Sequence, residues 1–235
     1  VSGAPIAVAL DAPDLSTLSA WAGAVGPHVS TLKVGLETYL RDGRDAVAAA
    51  RTAAPSCALF LDLKLHDIPA TVAGAARAVS DLTPDFLTVH ASGGPAMVSA
   101  AAEALPDTRI VAVTVLTSLS TQDLQALDLL GSGVDSAGAL AVHLATTAVD
   151  AGARAIVCSP QEVGDVRAAL AGRDVVLITP GVRPAGSDAG DQRRIATPRE
   201  AIAQGADLLV IGRPITAAAD PGAAAAAIAS DLAHA

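Results

Sequence analysis

Aromatic residues make up only 2% of this 235-residue sequence. That is too few for an exposed platform of rings on which nucleic-acid bases could stack. Basic residues are also scarce: 15 Lys and Arg stand against 24 Asp and Glu, for a formal net charge of −9. No stretch gathers enough positive charge to hold a polyphosphate backbone, so no nucleic-acid partner is expected. Only two cysteines are present, Cys57 and Cys158, with no CxxC pair and no histidine at ligand spacing. They read as buried free thiols, and neither a disulfide scaffold nor a cysteine metal site is expected. The hydrophobic runs are short and interrupted by charge, well below the roughly 20 apolar residues that span a bilayer. The opening Val-Ser-Gly-Ala-Pro has neither a basic segment nor a signal-type apolar core, and a soluble cytoplasmic protein with no membrane partner is the expectation. A glycine-rich dinucleotide turn is missing as well, since Asp11-Ala12-Pro13-Asp14 follows the first apolar run.

What the chain does have is aliphatic bulk. Hydrophobic residues reach 51% and charged ones 17%, so Ala, Val, Leu and Ile can build a sizeable core. Eight β-branched runs recur along the chain: Ile6–Leu10, Leu32–Leu36, Ala58–Leu65, Phe86–His90, Ile110–Leu116, Ala155–Cys158, Val175–Ile178 and Leu208–Ile211. Alanine-rich stretches with helical spacing lie between them. Ser159-Pro160-Gln161-Glu162 and Thr197-Pro198-Arg199-Glu200 read as capping boxes, and Asp220-Pro221 as another helix start. Strands that are apolar on both faces and alternate with helices indicate parallel pairing. Eight such units fit a closed (β/α)8 TIM barrel better than an open sheet. No linker or composition break divides the chain, so residues 1–235 are expected to form one barrel domain.

In such a barrel, function sits at the C-terminal ends of the strands, and the polar residues there stand out. Asp11 ends the first run, Lys33 interrupts the second, Asp62 and Lys64 interrupt the third, His90 ends the fourth, and Thr117-Ser118 close the fifth. Asp62 and Lys64 are two positions apart, so strand alternation turns both to the interior, where they should meet. Asp67 lies just beyond, before Ile68-Pro69, where the strand should give way to a loop. From there it can reach around the rim or into a neighbouring molecule. A buried ion-pair ladder that merely orients the barrel is the plain alternative. Two acids around one lysine, with Lys33 nearby, are more ionic machinery than packing requires.

The run Leu61-Asp62-Leu63-Lys64-Leu65-His66-Asp67-Ile68-Pro69-Ala70-Thr71 resembles the signature of the orotidine 5'-phosphate decarboxylase family. Its D-x-K-x-x-D core on a third barrel strand is a specific signal. Ala9-Leu10-Asp11, Leu32-Lys33-Val34-Gly35, Val89-His90-Ala91-Ser92-Gly93-Gly94, Val115-Leu116-Thr117-Ser118, Thr179-Pro180-Gly181-Val182-Arg183-Pro184, Gly190-Asp191-Gln192-Arg193-Arg194 and Ile211-Gly212-Arg213-Pro214-Ile215-Thr216 resemble segments of its bacterial branch in order and spacing. The resemblance implies cofactor-free decarboxylation of orotidine 5'-phosphate to uridine 5'-phosphate in pyrimidine biosynthesis. Lys64 then stabilises and protonates the ring carbanion, Asp62 faces the substrate carboxylate, and Lys33 and Asp11 hold the ribose hydroxyls. It further implies a homodimer with shared sites, Asp67 and Thr71 entering from the second chain. Thr117 lies at the pyrimidine edge, Arg183 at the phosphate, and Gln192 links phosphate to base.

The phosphate site can also be argued from the barrel itself, which often grips phosphate with the loops after strands seven and eight. Gly181 and Gly212-Arg213 stand there: glycine lets backbone N–H groups approach the oxygens, and Arg213 adds a bidentate charge. The polar, glycine-bearing segment 183–192 reads as a lid. The nearest rival is a magnesium-dependent sugar-phosphate decarboxylase or aldolase of the same barrel group, which resembles this chain around D-x-K-x-x-D. Lys33 argues against it, because those relatives place a carboxylate there to help hold the ion, and a lysine repels one. No metal ligands are assigned. Trp21, Tyr39, Phe60 and Phe86 read as packing residues, and His90 as a brace for neighbouring loops.

Overall fold

The computed structural model describes residues 3–131, 133–183 and 196–233. Eight parallel strands close into a barrel in chain order: β1 (Ala4–Ala9), β2 (Val29–Gly35), β3 (Ala58–Leu65), β4 (Phe86–His90), β5 (Arg109–Val113), β6 (Ala155–Val157), β7 (Val176–Thr179) and β8 (Leu208–Ile211). Helices connect successive strands, as parallel pairing demands. The expected (β/α)8 barrel is the observed fold. No helix among the described residues is long and apolar enough to cross a membrane.

Strand alternation sorts the apolar residues into two environments. Ile6, Val8, Leu32, Val34, Leu59, Leu61, Leu87, Val89, Ile110, Leu177 and Leu209 pack outward in the main core beneath the helices. Alanines such as Ala22, Ala50, Ala76, Ala101 and Ala148 let those helices come close. Ala7, Phe60, Phe86, Val111, Ala155, Ile178 and Leu208 point inward and plug the barrel axis. The Phe60 and Phe86 rings meet there at 5.7 Å between centroids, tilted by 55°, an arrangement that aromatic quadrupoles favour. One pleat higher on the same inward face come Ala9, Lys33, Asp62, Thr88, Val113, Val157 and Val210. The apolar plug therefore forms the floor beneath a charged and partly open layer.

Local chemistry sets most helix starts. Asp14 accepts a hydrogen bond from the Thr17 N–H at 2.8 Å, and Thr197 with Glu200 forms a reciprocal capping box with Pro198 inside it. Asp220 accepts from the Ala223 N–H at 2.9 Å. The expected box at Ser159–Glu162 is only half made. Glu162 accepts from the Ser159 N–H at 2.9 Å, but the buried Ser159 hydroxyl has no partner and the helix begins only at Val163. Several strand limits also differ from the reading of the sequence: β2 begins at Val29, ahead of the expected Leu32, and two ends differ for a clear physical reason. Leu36 opens a helix, Leu36–Asp42, instead of ending β2. β5 stops at Val113, so Thr117-Ser118 lie in a loop; Val115, Leu119 and Leu130, with Leu124 of the short helix Thr121–Ala126, form a satellite cluster of their own against the helix Ala137–Asp150. That second cluster explains why an apolar run outlasts its strand.

Candidate active site

The inward layer opens into a cavity of about 530 Å³ at the C-terminal end of the barrel. Ala9, Asp11, Lys33, Phe60, Asp62, Lys64, Thr117, Gly181, Arg183, Gly212 and Arg213 all line it. Residues spread over two hundred positions of sequence are thus brought to one pocket, among them Asp11, Lys33, Asp62, Lys64, Thr117, Gly181, Arg183, Gly212 and Arg213, all singled out above. Asp67 and Thr71 are exposed and do not line the cavity of their own chain. The Asp67 carboxylate accepts a hydrogen bond from the following Ile68 N–H at 2.7 Å. Gln192, and all of the 183–192 segment after Arg183, lies outside the described residues. Val182 and Ala196 form a short parallel bridge, and the Arg183 N–H donates to the Ala196 carbonyl at 3.0 Å.

The centre of the pocket is an alternating row of charges. Lys64 Nζ donates to Asp62 Oδ1 at 2.8 Å, Lys33 Nζ stands 3.2 Å from Asp62 Oδ2, and the same Nζ is 3.8 Å from Asp11 Oδ1. Asp62 and Lys33 are only 8% and 7% exposed, a depth at which either charge alone would cost several kcal/mol. Burial by itself pushes the Asp62 carboxyl upward. The ammonium groups of Lys33 and Lys64 on its two oxygens outweigh that and hold it below its ordinary value. Asp11 is steadied from behind. The buried Thr38 hydroxyl donates to the Leu10 carbonyl at 2.9 Å, and Arg41 donates to the Ala12 carbonyl at 2.6 Å.

Asp62 and Lys64 meet as expected, but not through plain alternation. Lys64 has φ +49°, a left-handed conformation uncommon outside glycine, and the β3–β4 register slips around it. Three further features were not foreseen. The Thr88 hydroxyl accepts from the Lys64 N–H at 2.8 Å and donates to Asp62 Oδ1 at 3.0 Å. Its signal was a polar residue at an inward position of an apolar run, the same signal that singled out Lys33. A Cβ on Gly35 would lie 2.8 Å from Lys33 Nζ and 2.9 Å from Asp11 Oδ1, so the glycine leaves room for that ion pair. Glu37, on the short helix after β2, also lines the cavity; nothing in its local sequence marked it. His66 and His90 pack ring to ring at 5.3 Å beside Lys64. Burial, then the neighbouring His66 and Lys64, hold the His90 imidazole below its ordinary range, so it is neutral at pH 7. Cys158 is buried and its thiol pushed far upward, and Cys57 is half-buried; both are free. Among the described residues no group of three His, Cys, Asp or Glu side chains is placed to hold a metal ion.

A closed α/β barrel with a charged row at the C-terminal mouth defines a barrel enzyme. The model of the family described as orotidine 5'-phosphate decarboxylase / HUMPS matches residues 4–228. Orotidine 5'-phosphate decarboxylase of Thermobifida fusca is 67% identical over 229 residues, covering 97% of this chain and 96% of its own. The enzyme of the same name from Frankia casuarinae is 54% identical over 97% of this chain and 88% of its own. The crystal structure of orotidine 5'-phosphate decarboxylase from Lactobacillus acidophilus superimposes with a TM-score of 0.80 at 33% identity, covering 97% of this chain and 99% of that one. The chain belongs to this decarboxylase family and is a carbon–carbon lyase.

The depressed Asp62 carboxyl has a consequence for stability. Its contribution is complete above the ordinary carboxylate value of 3.8 and is lost as pH falls through its own lower one. The difference in unfolding free energy between the wild type and Asp62→Asn, measured by denaturant titration, should therefore shrink as pH is lowered from about 6 to about 3. A difference that stays constant across that window would contradict the assignment.

Proposed function

We propose that the chain converts orotidine 5'-phosphate to uridine 5'-phosphate and carbon dioxide, without a cofactor, as a step in making pyrimidine nucleotides. The observation that carries this reading is the position of Lys64. Its ammonium stands at the open end of the charged row, anchored to Asp62 and facing the cavity. Loss of carbon dioxide breaks the bond from the ring to the carboxyl group and leaves the electron pair on a ring carbon that has no adjacent electron sink. The site must then supply positive charge and a proton at that carbon. Lys64 does both, as a preorganised cation and as the general acid.

Asp62 faces the substrate carboxylate. Two like charges about 4 Å apart at an effective dielectric near 20 repel by about 4 kcal/mol, and departure of carbon dioxide removes that repulsion. Lys33 cannot relieve it alone, because its ammonium is already shared between Asp62 and Asp11. Asp11 and Lys33 hold the ribose hydroxyls, Thr117 meets the pyrimidine edge, and Arg183 and Arg213 hold the phosphate, with Gln192 linking phosphate to base. Backbone N–H groups near Gly181 and Gly212 assist. Gly181 has φ +77°, which favours glycine, whereas a Cβ on Gly212 would meet nothing nearer than Ala9 Cβ at 3.5 Å. Gly212 is thus not required by packing, which supports a close approach of ligand to backbone.

The magnesium-dependent alternative requires a carboxylate where Lys33 stands, and an ammonium there repels a divalent ion. Orotidine 5'-phosphate added to the protein should lose its ultraviolet absorbance at the same rate with or without a chelator. Turnover that needs a divalent cation, or that occurs only with a sugar phosphate, would favour the alternative.

The reading is of one barrel domain over residues 1–235, acting in the cytoplasm as a homodimer with shared sites. The apolar rim beside Asp67 supports the dimer. Leu40 is 78% exposed and Ile68 66% exposed, with Leu36 also bared, and all lie around the mouth of β2 and β3. Asp67, drawn outward by the extended Ile68 that precedes Pro69, together with Thr71 then enters the partner's site and completes an Asp-Lys-Asp arrangement around its Lys64. A two-fold dimer is self-complementary, so each chain both gives and receives an aspartate. Mixing inactive Lys64→Ala and Asp67→Ala variants and letting subunits exchange should restore about a quarter of wild-type activity, because half the dimers are mixed and one of their two sites carries neither defect. No recovery, with exchange demonstrated, would put Asp67 in its own chain's site.

A further inference from the structure

We infer that Thr88 is a positioning residue for this reaction: its hydroxyl fixes the backbone of Lys64 and the orientation of Asp62 at the same time. The inference rests on the proposed role of Lys64, and its basis is the pairing of β3 with β4. Leu61 pairs with Leu87 and the next pair is Leu65 with Val89. Three residues of β3, Asp62 to Lys64, therefore stand opposite Thr88 alone. Such a bulge leaves main-chain groups without ladder partners, and Lys64 at its end takes φ +49°, a conformation that Cβ-bearing residues disfavour. The Lys64 N–H finds the Thr88 hydroxyl oxygen at 2.8 Å. With that lone pair engaged, the single hydroxyl proton is given to Asp62 Oδ1 at 3.0 Å, and the same oxygen receives Lys64 Nζ at 2.8 Å.

The contacts form a closed circuit from the Lys64 backbone through Thr88 and Asp62 to the end of the Lys64 side chain. Both ends of the lysine are tied to the same two groups, so its ammonium can drift neither along the strand nor away from the carboxylate. Thr88 is fully buried and does not line the cavity, which is why its role is positioning and not contact with substrate. A β-branched residue that only packed the strand could as well be valine, so the hydroxyl is the part that carries the claim.

The test compares Thr88→Val with Thr88→Ser. Thr88→Val keeps the shape and removes both hydrogen bonds. Its kcat should fall by about 10- to 100-fold, the range expected for losing a hydrogen bond to a charged group. Affinity for uridine 5'-phosphate, measured by calorimetry, should change by less than about threefold, because the phosphate and ribose contacts lie elsewhere. Thr88→Ser should return kcat to within about fivefold of wild type. A crystal structure of Thr88→Val should show Lys64 outside the left-handed region. The inference is overturned if Thr88→Val keeps kcat within twofold while Lys64→Ala is inactive, if the valine and serine variants lose equally, or if kcat and product affinity fall together. Should Lys64→Ala itself turn over, it is the reading of Lys64 that fails. The positioning claim is then decided by the Lys64 backbone in the Thr88→Val crystal, where an unchanged left-handed conformation overturns it. If Thr88→Val does not fold, Thr88→Ala compared with Thr88→Ser gives the same decision.

Discussion

A carboxylate set almost out of water inside a barrel must have its charge answered on every side, and at Asp62 the answer comes from three groups. Lys33 takes one oxygen at 3.2 Å, and Lys64 and the Thr88 hydroxyl share the other at 2.8 and 3.0 Å. Much else follows from that requirement. Lys33 must be held inward on β2, so Gly35 has to lack a side chain. Lys64 must turn back toward the carboxylate, so β3 bulges and its backbone becomes left-handed. The row is neutral when its two carboxylates and two ammonium groups are counted, which makes it tolerable to bury. It is nonetheless rigid, because moving any one charge strands its neighbour.

The barrel supplies the other half of the arrangement. Phe60, Phe86, Val111, Ile178 and Leu208 close the axis below and keep water from reaching the row from beneath, while small inward residues such as Ala9 leave the space above for a ligand. Interactions at the mouth act across a partly dry pocket, where fixed charges are worth more than in water and need no reorganisation during the reaction. In the mechanism proposed above, Lys64 thereby answers both a structural need, pairing Asp62, and a chemical one, meeting the ring carbon.

Much of this was legible in the sequence because alternation and burial leave a clear trace. Charged residues at Lys33, Asp62 and Lys64 inside apolar runs had to face one another or water, and they do face one another. The eight recurring runs gave the barrel, and Thr197-Pro198-Arg199-Glu200 gave its helix start. What was not legible depends on tertiary geometry. A bulge shifts register without changing residue types, so neither the left-handed Lys64 nor the contact with Thr88 could be read from spacing. The length of β5 was overestimated because Val115 is apolar for a different reason, packing in a satellite cluster outside the strand. Ser159 carries the residue pattern of a cap, yet its buried hydroxyl makes no hydrogen bond and the helix begins only at Val163. Asp67 was the reverse case: the proline two residues on shows that it leaves the strand, while the destination proposed for it lies in a second chain.

In the proposed mechanism the charged row presents the Lys64 ammonium to the reacting carbon. The most direct measurement is turnover of orotidine 5'-phosphate by folded Lys64→Ala, alongside its affinity for uridine 5'-phosphate. Loss of the proton donor and the charge together predicts that decarboxylation falls by at least about a thousandfold while nucleotide binding is largely kept. Turnover within tenfold of wild type, in a variant whose fold and binding are intact, would remove Lys64 from the mechanism.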